Sequence, residues 1–170
     1  IYAGSGNDSV HSHRGQKTIY GEDGDDYLYA RDDSVLDGGN GDDHLKATLS
    51  TRGDHTFIGG AGADTFEFHG ANPDRPTNQV ISDFEVGVDT VVFEGHTISG
   101  LASASDLPSN FVTSENANGE LVITYDGVQT LTLTGVAEAA FFGGSSGGGS
   151  SNTSGGSGSG GSGSSGGNGS

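Results

Sequence analysis

The chain has 170 residues, a formal net charge of −17 at pH 7, no cysteine and 30% hydrophobic residues, a size that suits one domain with an appendage. The acidic charge argues against binding to nucleic acid or anionic membranes, which need a basic surface, and no apolar run reaches the ~18 residues of a membrane span. Without cysteine there are no disulfides or thiolate metal sites. A chain this poor in apolar residues then needs another source of stability for its fold, and a bound metal ion is the usual one.

The first 68 residues contain one nine-residue pattern four times. The copies read AGSGNDSVH from residue 3, GEDGDDYLY from residue 21, GGNGDDHLK from residue 38 and GGAGADTFE from residue 59. In every copy glycine stands fourth, aspartate sixth and an apolar residue eighth. The sixth-position aspartates are 18, 17 and 21 residues apart. This spacing predicts a parallel β-roll of about four coils over residues 1–68, in which each coil of ~18 residues has two short strands and two loops.

The glycine-rich loops have the chemistry of a calcium site. Calcium prefers oxygen ligands from carboxylates, backbone carbonyls and water. Glycine allows the positive φ values that turn several carbonyls of one short loop toward a single point. Four stacked loops enclose three gaps, which predicts about three Ca²⁺ ions along one edge of the roll. The predicted metal-binding residues are Gly4, Gly6, Asp8, Gly21, Asp23, Gly24, Asp26, Gly38, Gly39, Asn40, Gly41, Asp43, Gly60, Gly62 and Asp64.

The loops on the opposite edge of the roll lack the motif aspartate. Their corresponding positions hold Lys17, Ser34 and His55. We therefore expect calcium along one edge only, with Lys17 serving as a fixed cation on the other. An irregular metal site formed by Asp32, Asp33 and Asp54 is the alternative for this second edge.

The energetics of so short a repeat favour folding on metal binding. Ordering the backbone costs about 1–2 kcal/mol per residue, whereas burying one Val or Leu side chain returns about 1.5–3 kcal/mol. One or two apolar side chains per nonapeptide do not offset that cost. Calcium neutralises the acidic loops and binds only the folded form, so its binding energy becomes folding energy. We expect a chain that is largely unfolded in chelator and gains β structure at high micromolar to millimolar calcium.

Residues 69–142 read as a β-rich cap of the same domain. Two short β runs lie in residues 78–93, where Asp83 and Asp89 either bind a further calcium ion or have turn and strand-end roles. Residues 120–136 predict a hairpin that turns at Asp126-Gly127. Residues 135–142 favour a short helical turn. From residue 143 to residue 170 nearly every residue is Gly or Ser, which predicts a disordered, flexible linker.

The repeats and the segment VISDFEVGVDTVVF resemble the RTX family of exported Gram-negative proteins, which includes haemolysins, proteases, lipases, adhesins and alginate epimerase modules. The resemblance implies an extracellular, type I-secreted protein with calcium-triggered folding. The chain begins at Ile1 without an initiator methionine, so we expect a fragment of a longer protein. No catalytic motif is present, which predicts a non-catalytic module that stabilises adjacent domains of its parent chain.

Two alternative functions stay open at this point. The first is a polysaccharide-binding module like those of alginate epimerases, in which bridging calcium or scattered basic residues offset the negative charge. The second is the C-terminal part of a secreted protease, lipase or other hydrolase. His11 and His13 could share a strand face and bind a transition metal, although ordinary surface histidines are the more common case.

Overall fold

The structure is a computed structural model that describes residues 1–49 and 53–143. The described residues form two β-sheets and almost no helix, which confirms the all-β prediction. The strands are β1 (Tyr2–Ser5), β2 (Ser9–Ser12), β3 (Lys17–Asp23), β4 (Tyr27–Ala30), β5 (Ser34–Asn40), β6 (His44–Thr48), β7 (His55–Ala61), β8 (Thr65–His69), β9 (Asn78–Ile81), β10 (Thr90–Phe93), β11 (His96–Thr97), β12 (Phe111–Glu115), β13 (Leu121–Tyr125) and β14 (Gln129–Leu133). A 3₁₀ turn at Ala104–Asp106 and the one-turn helix α1 at Glu138–Phe141 complete the fold.

Odd-numbered and even-numbered strands of the repeat region form the two walls of a parallel β-solenoid of about four turns. β1, β3, β5 and β7 pair in parallel in an eight-stranded sheet, whereas β2, β4, β6 and β8 pair in parallel in a six-stranded sheet. Strands that alternate between two sheets while always pairing with the next coil are what a repeat of two strands per coil requires. The predicted β-roll is therefore confirmed.

From β3 onward, the apolar residue of each half-coil points into the roll. Ile19, Leu36 and Phe57 are in register in one sheet and are fully buried. The eighth motif positions form the facing row, with Leu28 paired to Leu45 and Leu45 to Phe66. A shift of one residue would move these side chains to solvent, so the apolar period fixes the register.

Parallel stacking continues beyond the last nonapeptide. β9 pairs with β7, where Ile81 is opposite Phe57, and β10 pairs with β8, where Val91 is opposite Phe66. A further coil without the glycine-rich loop therefore follows the four motif coils. The division of the chain at residue 68 remains a prediction, and the strand pairing runs across it.

The C-terminal end of the larger sheet is the predicted hairpin. β13 and β14 are antiparallel and turn through Asp126 and Gly127, both at positive φ. β14 joins β9 in parallel, which attaches the hairpin to the solenoid sheet, and β12 adds an outer antiparallel strand. The predicted helical turn is α1, and it buries Phe141.

The core becomes more aromatic toward the cap. Phe68 lies 5.0 Å from Phe57 and 5.6 Å from Phe93, measured between ring centroids, and Phe93 continues the cluster to Phe111 at 5.7 Å. The first coils contribute only aliphatic side chains, and Val10 is merely half-buried. Because aromatic rings bury the most area, apolar stabilisation is concentrated at the cap end. Residues 50–52 lie outside the described residues, and so does the expected linker at 143–170 apart from its first residue.

Within the described part of the chain, no helix has the length and apolar character needed to cross a membrane.

Candidate metal-binding edge

Positive φ at the second and fourth motif positions shapes the loops between the two sheets. Gly39 and Gly41 have φ values of 107° and 127°, and Glu22 takes the same second-position conformation at 82°. Stacking also leaves no room for a side chain: a Cβ on Gly39 would lie 2.1 Å from the carbonyl oxygen of Glu22, and one on Gly62 would lie 2.1 Å from that of Gly41. Glycine is thus needed for both conformation and close approach.

The sixth-position aspartates form a ladder along this edge. The backbone N–H of Asp8 donates to Asp26 Oδ1 at 2.7 Å, that of Asp26 to Asp43 Oδ1 at 2.8 Å, and that of Asp43 to Asp64 Oδ1 at 2.9 Å. Asp26, Asp43 and Asp64 are each only 2% exposed. The structure thus places the predicted carboxylate pairs in adjacent coils, and it buries carboxylates that an acidic surface turn would leave in water.

The fifth motif position forms a second ladder of opposite direction. Here the N–H of the later coil donates to the side chain of the earlier one: Asp25 to Asn7 Oδ1 at 3.1 Å, Asp42 to Asp25 Oδ1 at 3.0 Å, and Ala63 to Asp42 Oδ1 at 2.8 Å. This role of the fifth position was not predicted from the sequence. The available signal was that the first three copies hold Asn or Asp at this position.

Two carboxylate oxygens on this edge lack partners. Asp26 Oδ2 and Asp43 Oδ2 are buried and accept no hydrogen bond from any residue in 1–49 and 53–143. A Cβ on Gly21 would lie 2.2 Å from Asp26 Oδ2 and 2.4 Å from the carbonyl oxygen of Gly38. In the next coil, a Cβ on Gly38 would lie 2.2 Å from Asp43 Oδ2 and 2.6 Å from the carbonyl oxygen of Gly59.

At Gly21 and Gly38 the absence of a side chain therefore lets a carboxylate oxygen of the same coil and a carbonyl oxygen of the next coil approach the glycine closely. A buried acceptor without a donor is costly. A set of carboxylate and carbonyl oxygens fits a hard cation such as Ca²⁺.

The burial of these carboxylates disfavours bare negative charge. Burial raises the pKa of Asp43 to about 7, and the neighbouring carboxylates of Asp64 and Asp26 act in the same direction. Burial likewise raises the pKa of Asp64 to about 6, with Asp89 and Asp83 adding to the effect. Burial thus penalises an uncompensated negative charge on Asp43 and Asp64, a penalty that a bound cation would reduce.

Carbonyls at the third motif position already link successive coils. The carbonyl oxygen of Asp23 accepts the N–H of Gly6 at 2.7 Å, and that of Asn40 accepts the N–H of Gly24 at 2.8 Å. A carbonyl oxygen has a second lone pair, so these bonds leave room for a metal contact. In residues 1–49 and 53–143, no group of three or more His, Cys, Asp or Glu side chains is placed to hold a metal ion. The predicted sites thus depend on carbonyl oxygens as well as on aspartates.

Asp83 and Asp89 have the turn and strand-end roles that sequence analysis offered as one alternative. Asp83 accepts the N–H groups of Gly59 and Gly60, both at 2.9 Å. Asp89 accepts those of Asp64 at 3.0 Å and Glu85 at 2.8 Å. All four carboxylate oxygens are therefore bonded to the backbone at the cap end of the ladder.

Hydrogen bonds that aspartate side chains accept from the backbone and from a side-chain amide connect the coils along the opposite edge. Asp33 accepts the N–H of Asp54 at 2.9 Å and the Gln16 amide at 3.1 Å. The hydrogen bond from Asp54, followed by that from Gln16, lowers the pKa of the Asp33 carboxyl. Lys17, the expected fixed cation, donates to the carbonyls of Arg14 and Gln16 in its own loop, at 3.3 Å each.

His55 lies inside this opposite edge. It is 1% exposed, and among the described residues neither ring nitrogen has a hydrogen-bonding partner. Burial lowers the pKa of its imidazole to about 4, against the opposing effect of Asp33 and Asp54. Gln79, which sequence analysis did not single out, accepts the N–H of His55 at 3.1 Å and donates to the carbonyl of Gly53 at 2.9 Å.

Comparison with known proteins gives matches among solved structures only. No family model matches the chain, and neither does any curated protein. The solution structure of the AlgE6R3 subunit from the Azotobacter vinelandii mannuronan C5-epimerase is 24% identical, with a TM-score of 0.32, and the match covers 94% of this chain and 92% of that one. The extracellular lipase LipA from Serratia marcescens is 14% identical, with a TM-score of 0.27, over 79% of this chain and 37% of the lipase. At this level of similarity neither structure assigns a ligand or an activity to the present chain.

Proposed function

We propose that this chain is a non-catalytic, calcium-binding β-roll module of an exported protein, and that it folds when extracellular calcium fills the loops along one edge. The observation that carries the proposal is the pair of oxygens Asp26 Oδ2 and Asp43 Oδ2, which are buried without a hydrogen-bonding partner among the described residues and lie near a backbone carbonyl oxygen of the next coil. The ligands would be the carboxylates of Asp8, Asp26, Asp43 and Asp64 together with carbonyls of the glycine-rich loops between them.

The arrangement makes calcium a folding switch. Bound calcium supplies positive charge to a row of buried carboxylates, and the row exists only when the coils are stacked. Binding therefore favours the folded state. Sites of the extracellular class bind calcium with dissociation constants of about 10⁻⁴–10⁻³ M. A chain tuned to this range stays unfolded at low intracellular calcium, which suits export in an unfolded form followed by folding outside the cell. The RTX-type repeats support this reading.

Circular dichroism tests the proposal directly. We expect a largely unfolded spectrum in EDTA and cooperative gain of β structure as calcium rises to millimolar levels. Magnesium at the same concentration controls for ionic strength, because Mg²⁺ is smaller and loses its water reluctantly. A spectrum that is unchanged between EDTA and calcium would refute the proposal.

A matched pair of variants locates the sites. Asp43→Asn keeps an oxygen that can accept the N–H of Asp26 but removes the carboxylate charge, so the calcium midpoint should rise by about tenfold or more. Asp42→Asn also removes one charge from an adjacent residue, and it keeps the acceptor for the N–H of Ala63. We expect at most a twofold to threefold effect, roughly what one exposed charge contributes. Equal effects of the two variants would show that net charge, and not a ligand, is responsible.

Polysaccharide binding is a second candidate because the outer face of the six-stranded sheet carries rings. Tyr27 lies 5.3 Å from His11 and 5.1 Å from His44, measured between ring centroids, and Tyr29 continues the row. Half-exposed tyrosines offer an apolar surface with a polar tip. Titration with alginate in calcium, compared between the wild type and Tyr27→Ala, separates the two candidates. Undiminished binding in the variant, or no binding at all, counts against the polysaccharide reading.

A further inference from the structure

His11 and His13 lie at the open edge of the six-stranded sheet. β2 is the outermost strand of that sheet, and His13 follows its last residue directly. Side chains two residues apart on extended backbone project to the same face. Both histidines are exposed, and their ring centroids are 6.2 Å apart. This separation lets two imidazoles approach one ion after a small rotation, since each nitrogen binds zinc at about 2.0–2.1 Å.

The neighbouring strand holds the two rings in place. Tyr29 is directly opposite His11 in the parallel pairing, and its ring lies 5.6 Å from both histidine rings. Tyr27 contacts His11 from the other side at 5.3 Å. Such packing limits the rotamers of the histidines, which lowers the entropy lost when a ligand is bound. Within the described residues, no ring nitrogen of His11 or His13 takes part in a hydrogen bond, so these nitrogens are available to bind a metal ion.

We propose that His11 and His13 together bind one divalent transition-metal ion, Zn²⁺ or Cu²⁺, with water completing its coordination. Imidazole suits Zn²⁺ and Cu²⁺, whereas Ca²⁺ requires oxygen ligands. The first coil would thus carry two sites of different chemistry, an oxygen site at its loop and a nitrogen site on its strand. The net charge of −17 attracts cations to both. Because the ion joins His11 on the edge strand to His13 directly after it, it stabilises the least buried coil of the roll.

Isothermal titration with Zn²⁺ tests the site in the calcium-saturated, chelator-free protein, so that the loop oxygens are already occupied. One Zn²⁺ per chain should bind. His11→Ala and His13→Ala should each weaken binding by at least about tenfold, since each removes half of the protein ligands. His96→Ala is the matched control, because His96 is an exposed histidine on β11 without a second histidine beside it. Equal loss in the control, or full binding in the double variant His11→Ala/His13→Ala, would overturn the proposal.

Cu²⁺ provides a second, spectroscopic readout that is independent of calorimetry. Bound Cu²⁺ should quench tyrosine emission, and the quenching should diminish in Tyr27→Phe/Tyr29→Phe, which removes the fluorophores beside the site. Electron paramagnetic resonance should show two nitrogen ligands. His11→Gln keeps the size of the side chain if alanine disturbs the strand, and circular dichroism in calcium verifies the fold of each variant. A copper spectrum with the same nitrogen ligands in His11→Gln would equally refute the site.

Discussion

The backbone N–H of Asp64 donates to Asp89 Oδ1 at 3.0 Å, and Asp89 Oδ2 accepts the N–H of Glu85 at 2.8 Å. In Asp26 and Asp43 the equivalent second oxygen has no hydrogen-bonding partner in the part of the chain that the structure describes. The carboxylate ladder therefore ends at the cap with a residue whose charge is met by two backbone donors. We therefore expect Asp89 to have a structural role in the roll.

Replacing Asp89 by alanine should cost stability without removing a calcium site. The substitution leaves two N–H groups without an acceptor, each worth about 1–3 kcal/mol. We expect a loss of about 2–6 kcal/mol in the free energy of unfolding, measured by urea denaturation in saturating calcium. Asp106→Ala removes an exposed aspartate and should change little. A lower calcium stoichiometry in Asp89→Ala, measured by calorimetry on protein shown to be folded, would contradict this structural role.

Glycine at the second motif position should matter more inside the stack than at its end. Gly4 has a φ of 111° and nothing within 4 Å of an added Cβ, whereas Gly39 has a φ of 107° and a carbonyl oxygen 2.1 Å away. Gly4→Ala should cost only the conformational strain, about 1–2 kcal/mol. Gly39→Ala adds a clash with backbone and should cost clearly more. Calcium midpoints followed by circular dichroism give the comparison, and equal midpoints would show that close stacking contributes nothing.

His55 should make the calcium-loaded roll sensitive to acid. Burial lowers the pKa of the imidazole from 6.5 to about 4 in the folded state, so the unfolded chain binds the proton more tightly. The neutral ring thus contributes stability that is complete above pH 6.5 and is lost as the pH falls toward 4. The full effect is of the order of 3 kcal/mol.

A variant with a different side chain at this position isolates the effect. The difference in free energy of unfolding between the wild type and His55→Leu should change with pH between about 6.5 and 4. His96→Leu, at an exposed site, corrects for general effects of losing a histidine. A wild-type-to-variant difference that is constant over this window would contradict the buried, neutral state of His55.

Glu67 connects two basic side chains on the outer face of the six-stranded sheet. It accepts from Lys46 Nζ at 2.7 Å and from His44 Nε2 at 2.8 Å, and all three side chains are partly exposed. Burial alone would raise the pKa of Glu67, but the hydrogen bonds from Lys46 and His44 outweigh it and lower the pKa. Glu67→Gln should therefore reduce stability by about 0.5–1 kcal/mol, and the reduction should shrink at high salt.

Urea denaturation at low and high salt measures this pair interaction. Glu85→Gln is the control, because Glu85 is exposed and its carboxylate is in no ion pair among the described residues. An effect of Glu67→Gln that does not depend on salt would indicate lost packing instead of lost charge.

The repeat was readable from the sequence because its signals are local. Glycine at the fourth position is required by backbone conformation, aspartate at the sixth position supplies charge, and the apolar residue at the eighth position packs in or against the core. All three requirements arise within one loop and its strand. The period then fixes which residues stack, and Leu28, Leu45 and Phe66 lie in one row as predicted. The Asp126-Gly127 turn is equally local, since the two residues adopt the positive φ values that the hairpin needs.

The contacts that cross between coils could not be predicted in the same way. The pairing of Asp26 Oδ1 with the N–H of Asp8 depends on the direction in which the chain advances from coil to coil, and no spacing rule states that direction. Glu22 has a positive φ at a motif position where the other three copies have glycine. The ring nitrogens of His55 have no hydrogen-bonding partner among the described residues because the ring lies between packed coils.

The sequence by itself determined the roll, its register and the edge that carries the acidic loops, because these follow from a period repeated four times. Only the tertiary structure decided how the carboxylates are used. In the inner coils stacking buries one oxygen of Asp26 and of Asp43 without a donor, whereas at the cap the altered loop turns backbone N–H groups onto both oxygens of Asp89. The same type of side chain keeps an oxygen without a donor in one coil and accepts two backbone N–H groups in another, because neighbouring coils and not the motif decide its hydrogen bonds.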